Sequence, residues 1–268
     1  MSSARSSEPA ALERPGFTAR LGELSAASDG LWLLGTVTGL ALTLVAAIFF
    51  PYPASPSGKF WAYAGLFIRA ACYLSAGEVL RRRGGETLSR LFALGIVAGA
   101  FELLVDWGLI HWVSAGRLVY LSGNDVVLLG SPVWMPLAWA CVIVEIGYPA
   151  VRLYGLWRAA WGTRAAALAA SLLCATGAGV TVGFYEYFAF RAGWWKYEPA
   201  RVMLGDYCAL YIPAGEFLMF LAVLPIAARA IGDEERPVAA AMAAGARFAI
   251  AIAAGYALAY ALLEGWGR

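Results

Sequence analysis

From Leu31 to Phe50 the chain carries no ionisable side chain at all. At about 1.5 Å of rise per residue a helix of that length spans roughly 30 Å, the thickness of a bilayer's hydrocarbon core. Further apolar runs follow, separated by short polar stretches that hold most of the arginines. Composition agrees, because hydrophobic residues make up 61% of the chain and charged residues 14%, against about 25% charged in a soluble domain. Too little polar surface remains to clothe a water-soluble globule. The expected fold is an all-α, polytopic membrane helical bundle.

The runs predict seven transmembrane helices, at about Leu31–Phe50, Phe60–Leu80, Leu88–Trp112, Pro132–Tyr154, Arg164–Phe190, Ala209–Ile231 and Pro237–Trp266. Residues 1–30, rich in Ser, Ala and Glu with mixed charge, read as a disordered cytoplasmic tail rather than a signal peptide. Residues 31–268 then form a single seven-helix domain. Lys and Arg set the orientation. With the amino terminus inside, the inner segments carry the clusters at Arg81–Arg82–Arg83, Arg152–Arg158–Arg164 and Arg229–Arg236, while the outer ones carry fewer bases, among them Lys59, Arg117, Lys196 and Arg201. The expectation is a multi-pass cell-membrane protein with a cytoplasmic amino terminus.

Residue counts narrow the chemistry. His111 is the single histidine, so a histidine-rich iron site or a structural zinc site is excluded. Lys59 and Lys196, the only lysines, lie in polar stretches, and no span offers an amine for a retinal Schiff base. The four cysteines are scattered without C-x-x-C spacing and read as small packing residues. No dinucleotide-binding loop is present, since Gly177 and Gly179 sit inside an apolar run; Gly179 and Gly183 form a G-x-x-x-G pair suited to close helix packing. Asn124-Asp125 resembles the start of a prenyltransferase aspartate motif, but the further aspartates are missing. A net charge of +2 spread over loops argues against a nucleic-acid partner.

Spans three and four match spans five and six as a parallel repeat. One unit reads Glu102, Trp112, Tyr120, Leu129-Gly130, then Pro136 and Trp139; the other reads Glu186, Trp194, Tyr197, Leu204-Gly205, then Pro213 and Glu216. Each is a helix, a long aromatic loop and a helix that starts near a proline.

Carboxylates inside a membrane are costly and usually face the bundle interior. Glu78, Glu102, Asp106, Glu145, Glu186 and Glu216 fall within the spans, with Arg69 and Arg247 as candidate counter-ions. Glu102 and Asp106, four apart, share a helix face. At about 1.5 Å per residue, Asp106 lies roughly 9 Å and Glu216 roughly 10 Å below the outer ends of their spans, and Glu186 sits near the outer end of its own. Aromatic residues crowd the same level. Acids and rings around an apolar cavity suit a carbocation site, in which a protonated carboxyl starts the reaction and aromatic faces stabilise the cation; an interfacial aromatic belt with ion-paired acids is the structural alternative.

The segment Trp194-Trp-Lys-Tyr197, Gly205, then Tyr211-Ile-Pro-Ala-Gly-Glu-Phe217 resembles the membrane lycopene cyclase domain, with its tryptophan-tyrosine loop and Pro-x-Glu-Glu-aromatic motif. Pro213, Glu216 and Phe217 match that motif, and Gly215 stands where the family has its first Glu. The stretch Pro136-Leu-Ala-Trp139 is similar to related carotenoid hydratases. The resemblance covers roughly residues 100–228. It implies an enzyme without cofactor or metal that protonates a double bond of a carotenoid or terpenoid lipid and cyclises or hydrates it. Glu216 and Asp106 are the expected acid and cation-stabilising partner, with Glu102 and Glu186 next, and Trp139, Trp194, Trp195, Tyr197 and Phe217 the expected substrate contacts. The partners implied are an apolar isoprenoid and the bilayer. A meroterpenoid-type terpene cyclase and a non-enzymatic transporter or lipid-binding protein are the alternatives, the latter with helix breaks expected at Pro149 and Pro225.

Overall fold

The computed structural model describes residues 11–50, 57–121 and 125–265, and it is mostly helical. A short helix α1 (Pro15–Glu23) precedes α2 (Ala26–Phe49), α3 (Ser57–Val79) and α4 (Gly85–His111). The long α5 (Met135–Ala192) follows, then α6 (Tyr211–Phe220), α7 (Val223–Gly232) and α8 (Pro237–Leu263). Four of these helices, α2, α4, α5 and α8, are long and apolar enough to cross a membrane. The pair α6 and α7 meets the same test jointly, bent by 45°. Large apolar side chains such as Leu33, Val37, Phe67, Phe101, Phe184 and Ile250 stand exposed along these helices, which suits a surface against lipid rather than water.

Two local results differ from the sequence expectations. Residues 15–23, expected within a disordered tail, form α1, whose Phe17 and Leu21 are buried. Phe17 stacks on Tyr154, so a short amphipathic segment gains order by covering the end of the bundle. Helix α2 starts at Ala26, where Ser25 and Ser28 complete a reciprocal capping box that satisfies otherwise unpaired backbone N–H groups. Second, Pro149 stays inside α5, whereas Pro225, in the first turn of α7, has no N–H for the Leu221 carbonyl four residues back, and the helix breaks there. The bend lies at residues 221–222, one turn beyond Glu216.

At 58 residues, α5 would be about 87 Å long if straight. It is broken instead at Gly162, whose φ of 75° and ψ of 163° are non-helical and open to glycine without a Cβ clash. The arms fold back on each other: Tyr185 of the second arm donates a hydrogen bond to Glu145 of the first, 2.7 Å away.

The loops after α4 and after α5 share a plan. Each begins with a three-residue strand, β1 (Leu118–Tyr120) or β4 (Trp195–Tyr197). Each continues into a small hairpin, β2 (Val127–Leu128) with β3 (Ser131–Pro132), or β5 (Met203–Leu204) with β6 (Cys208–Ala209). β1 and β4 pair antiparallel, Leu118 opposite Tyr197 and Tyr120 opposite Trp195. This two-stranded layer closes one end of the helix bundle, and its inward side chains reach the site described next.

Candidate functional site

Glu102 and Asp106 come from α4, Glu186 from the second arm of α5 and Glu216 from α6. All are buried, with exposures of 3%, 3%, 7% and 2%. They line one cavity of about 100 Å³, together with Tyr120, Trp139, Tyr185, Trp195, Tyr197 and Tyr256. The acids judged from sequence to lie at similar depth therefore meet. Among the described residues no Lys or Arg lines this cavity.

Hydroxyl and indole donors hold three of the acids. Tyr120 from β1 donates to Asp106 Oδ2 at 2.5 Å, and Ser131 from β3 donates to the same oxygen at 2.8 Å. The Trp195 indole donates to Glu186 Oε2 at 2.6 Å. The Tyr256 hydroxyl, from α8, donates to Glu216 Oε1 at 2.5 Å. Glu102, one turn before Asp106 on α4, lines the same cavity as Trp139. Burial, and secondarily the Asp106 charge, holds the loop phenol of Tyr120 well above its ordinary pKa, so it remains a donor. Burial and Glu186 do the same for Tyr197.

Two carboxyl oxygens, Glu102 Oε2 and Glu216 Oε2, are buried without meeting any donor. A buried polar atom left in that condition costs about 1–3 kcal/mol, which marks both as places where a proton or a ligand group is expected. Among the described residues no group of three or more His, Cys, Asp or Glu is placed to hold a metal ion.

A second chamber of about 80 Å³ adjoins the first and shares Ala138, Val142 and Tyr185 with it. Its chemistry is different. Arg69 Nη1 meets Glu145 Oε1 at 2.7 Å, with both side chains buried, and Tyr185 satisfies the other Glu145 oxygen. The Trp134 and Trp194 indole nitrogens line this chamber and have no acceptor.

Of the expected substrate contacts, Trp139, Trp195 and Tyr197 line the acid cavity. Trp194 turns into the second chamber instead. Phe217 does not line either chamber; it packs against Gly179, where an added Cβ would lie 3.5 Å from Phe217 Cβ and 3.0 Å from the Pro213 carbonyl. The G-x-x-x-G reading thus holds at Gly179, and the close approach of α5 to α6 takes Phe217 away from the site. Arg69 neutralises Glu145 rather than the four acids, and Arg247 sits far along α8 in a separate groove. Asp125 accepts from the Tyr63 hydroxyl, while Asn124 lies outside the described residues.

Gly215 has a spatial explanation. A Cβ there would come within 2.4 Å of the Tyr256 ring and 3.2 Å of its Cα, so α8 occupies the room that a glutamate at 215 would need. The same tyrosine holds Glu216. Tyr256 and Ser131 were not singled out from sequence, because neither the acid pattern nor the repeat reaches α8 or predicts which loop hydroxyl turns inward.

The chain matches a family model described as a domain of unknown function (DUF6989) over residues 103–263. That stretch holds Asp106, Glu186, Glu216, Tyr256 and both loops, and begins one residue past Glu102. No curated protein and no solved structure matches the chain.

Proposed function

For this chain, which belongs to the DUF6989 family, we propose a membrane-embedded enzyme that protonates a double bond of a carotenoid or terpenoid lipid and cyclises or hydrates the product. The observation that carries the reading is the cavity itself: four carboxyl groups and six aromatic rings surround one space without a cationic side chain, and two carboxyl oxygens there lack a donor. In this reading α2, α3, α4, the two arms of α5, the bent α6–α7 pair and α8 are seven crossings, with the amino terminus cytoplasmic. The shared loop plan and the antiparallel β1–β4 pair support the parallel repeat.

The geometry refines the choice of acid. Glu102 Oε2 is buried with no donor, which disfavours a charge on it. Asp106 Oδ2 accepts two O–H donors, the surroundings of a carboxylate, so in this reading the transferable proton is on Glu102 and Asp106 is its carboxylate partner. The Glu102 O–H bond breaks as a C–H bond forms at the less substituted alkene carbon, using the π pair and leaving a tertiary cation among the rings of Trp139, Tyr185 and Tyr256. In ring closure a second double bond supplies the next electron pair, and loss of a proton to carboxylate restores the acid, a net isomerisation. In hydration, water supplies the pair and returns the proton. A space of about 100 Å³ is smaller than the roughly 150 Å³ that accepts one benzene, so as it stands it holds the protonated double bond alone, and the rest of the isoprenoid lies in the membrane or the adjoining chamber.

Expression in a lycopene-accumulating host, and in hosts supplied with shorter or epoxidised prenyl substrates, tests this by chromatography of the lipid extract. Wild type is expected to give a product isomeric with the precursor or larger by one water. Glu102→Gln and Asp106→Asn are expected to lower turnover by about 10²–10⁴-fold. Unchanged extracts with wild type across the precursors would sink the proposal.

One observation favours a transporter instead: the helix carrying Glu216 is interrupted one turn later, at the α6–α7 bend, and broken helices beside buried acids are common in secondary transporters. Proton-coupled uptake into vesicles with no product formed would support that reading.

A further inference from the structure

At the opposite end of the bundle the arginines fall into two groups. Arg20 and Arg90 are spoken for: Arg20 meets Glu23 and Glu86, and Arg90 meets Glu86 and the carbonyls of Ile231 and Asp233. Arg14, Arg229, Arg236 and Arg247 are not. They line a groove of about 420 Å³ whose only acidic member among the described residues is Asp233. Among the described residues none of their guanidinium groups has a hydrogen-bond or ion-pair partner, while Asp233 Oδ1 accepts from the Arg236 backbone N–H.

The groove also receives the amino end of α8. That helix has Arg236 as its N-cap residue and no side-chain cap, and its first intrahelical acceptor serves Ala240. The N–H groups of Val238 and Ala239 precede it and have no partner within the helix. Orphan N–H groups and the positive end of the helix dipole favour an anion there. Arg14 is brought in by tight contact between α1 and α7: a Cβ on Gly16 would lie 2.2 Å from the Gly232 carbonyl oxygen.

Arg247 lies about 15 Å along α8 from Pro237, exposed, with Ile250 and Leu258 at 69% and 50% exposure further along the same side of the helix. A guanidinium on such an apolar face is unfavourable unless it reaches a polar partner at the membrane border. The groove thus offers four cationic donors and an uncapped helix end beside a greasy lip.

We propose that this groove binds the phosphate of an anionic membrane phospholipid, the guanidinium groups and the α8 amino end holding the headgroup while an acyl chain lies along the exposed face of α8. Free phosphate shares the headgroup chemistry but would leave the apolar lip unused. The test is a titration of the full-length protein in mild detergent, following thermal unfolding and lipid retention by native mass spectrometry, with phosphatidylglycerol, phosphatidylcholine and inorganic phosphate as separate arms. Phosphatidylglycerol is expected to stabilise and to be retained, phosphatidylcholine to do neither, and salt to weaken the effect. Arg247→Gln is expected to weaken phosphatidylglycerol binding roughly fivefold and the Arg229→Gln/Arg247→Gln pair roughly 30-fold. Arg247 is exposed, so its single variant keeps the test readable if the double variant folds poorly. Equal effects of the two lipids, or a titration unmoved by Arg247→Gln, would overturn the proposal. Inorganic phosphate reproducing the whole stabilisation would overturn the lipid assignment.

Discussion

Glu145 and Glu216 are both glutamates buried inside this bundle, one paired with an arginine of the second chamber and the other lining the acid cavity, and they are treated in opposite ways. Glu145 has its charge matched by Arg69 and its second oxygen filled by Tyr185. Glu216 has a single tyrosine hydroxyl and an oxygen with no donor, in a cavity without a cation. A fully satisfied buried ion pair locks its helices in place. An acid left partly unsatisfied beside empty space and aromatic rings does nothing comparable for the fold and is available for chemistry.

The contrast predicts unequal responses to mutation, readable as unfolding free energies in detergent. Arg69→Met has the largest effect expected, a loss of about 3–5 kcal/mol, because it strands the Glu145 charge away from water. Adding Glu145→Leu is expected to recover most of that loss; a double variant no better than the single would break the comparison. Gly215→Ala comes next, at about 1–3 kcal/mol, since the new methyl meets Tyr256 at 2.4 Å. Tyr256→Phe is expected to cost about 1 kcal/mol if its hydroxyl faces a neutral carboxyl, and about 1.5–3 kcal/mol if it faces a carboxylate, so its size reports which form Glu216 takes in the folded protein. Glu216→Gln has the smallest effect, about 0.5–1 kcal/mol, because the isosteric amide keeps an oxygen for the Tyr256 hydroxyl. A large destabilisation by Glu216→Gln would mean that the cavity acids are structural after all.

Much of the site was legible from residue placement. An acid inside an apolar run is conspicuous, and helical rise alone puts Asp106 and Glu216 at comparable depth. The loop pattern around Tyr120 and Tyr197 likewise announces two similar excursions, which the β1–β4 pairing joins. What could not be read was partner choice. Arg69 and Glu145 are 76 residues apart, with all of α4 and the β1–β3 loop between them, and nothing local favours that pairing over one with Glu216. Tyr256 sits on a helix with no acid of its own in the cavity, so no periodicity points to it. Phe217 fits a motif by sequence, yet one glycine on the facing helix turns its surroundings into packing. The ordering of α1 depends on Tyr154 and Gly232, both more than a hundred residues away.

The sequence by itself determined that the chain forms apolar helices, where the polar interruptions fall and which acids must be buried, because those follow from hydrophobicity and a fixed rise per residue. Only the tertiary structure decided which buried acid is neutralised by arginine, which keeps an unfilled oxygen and which hydroxyls hold the rest. Those outcomes depend on helix rotation and on approach distances set by single residues such as Gly179 and Gly215, which have no side chain to hold a neighbour off, and a one-dimensional pattern carries neither.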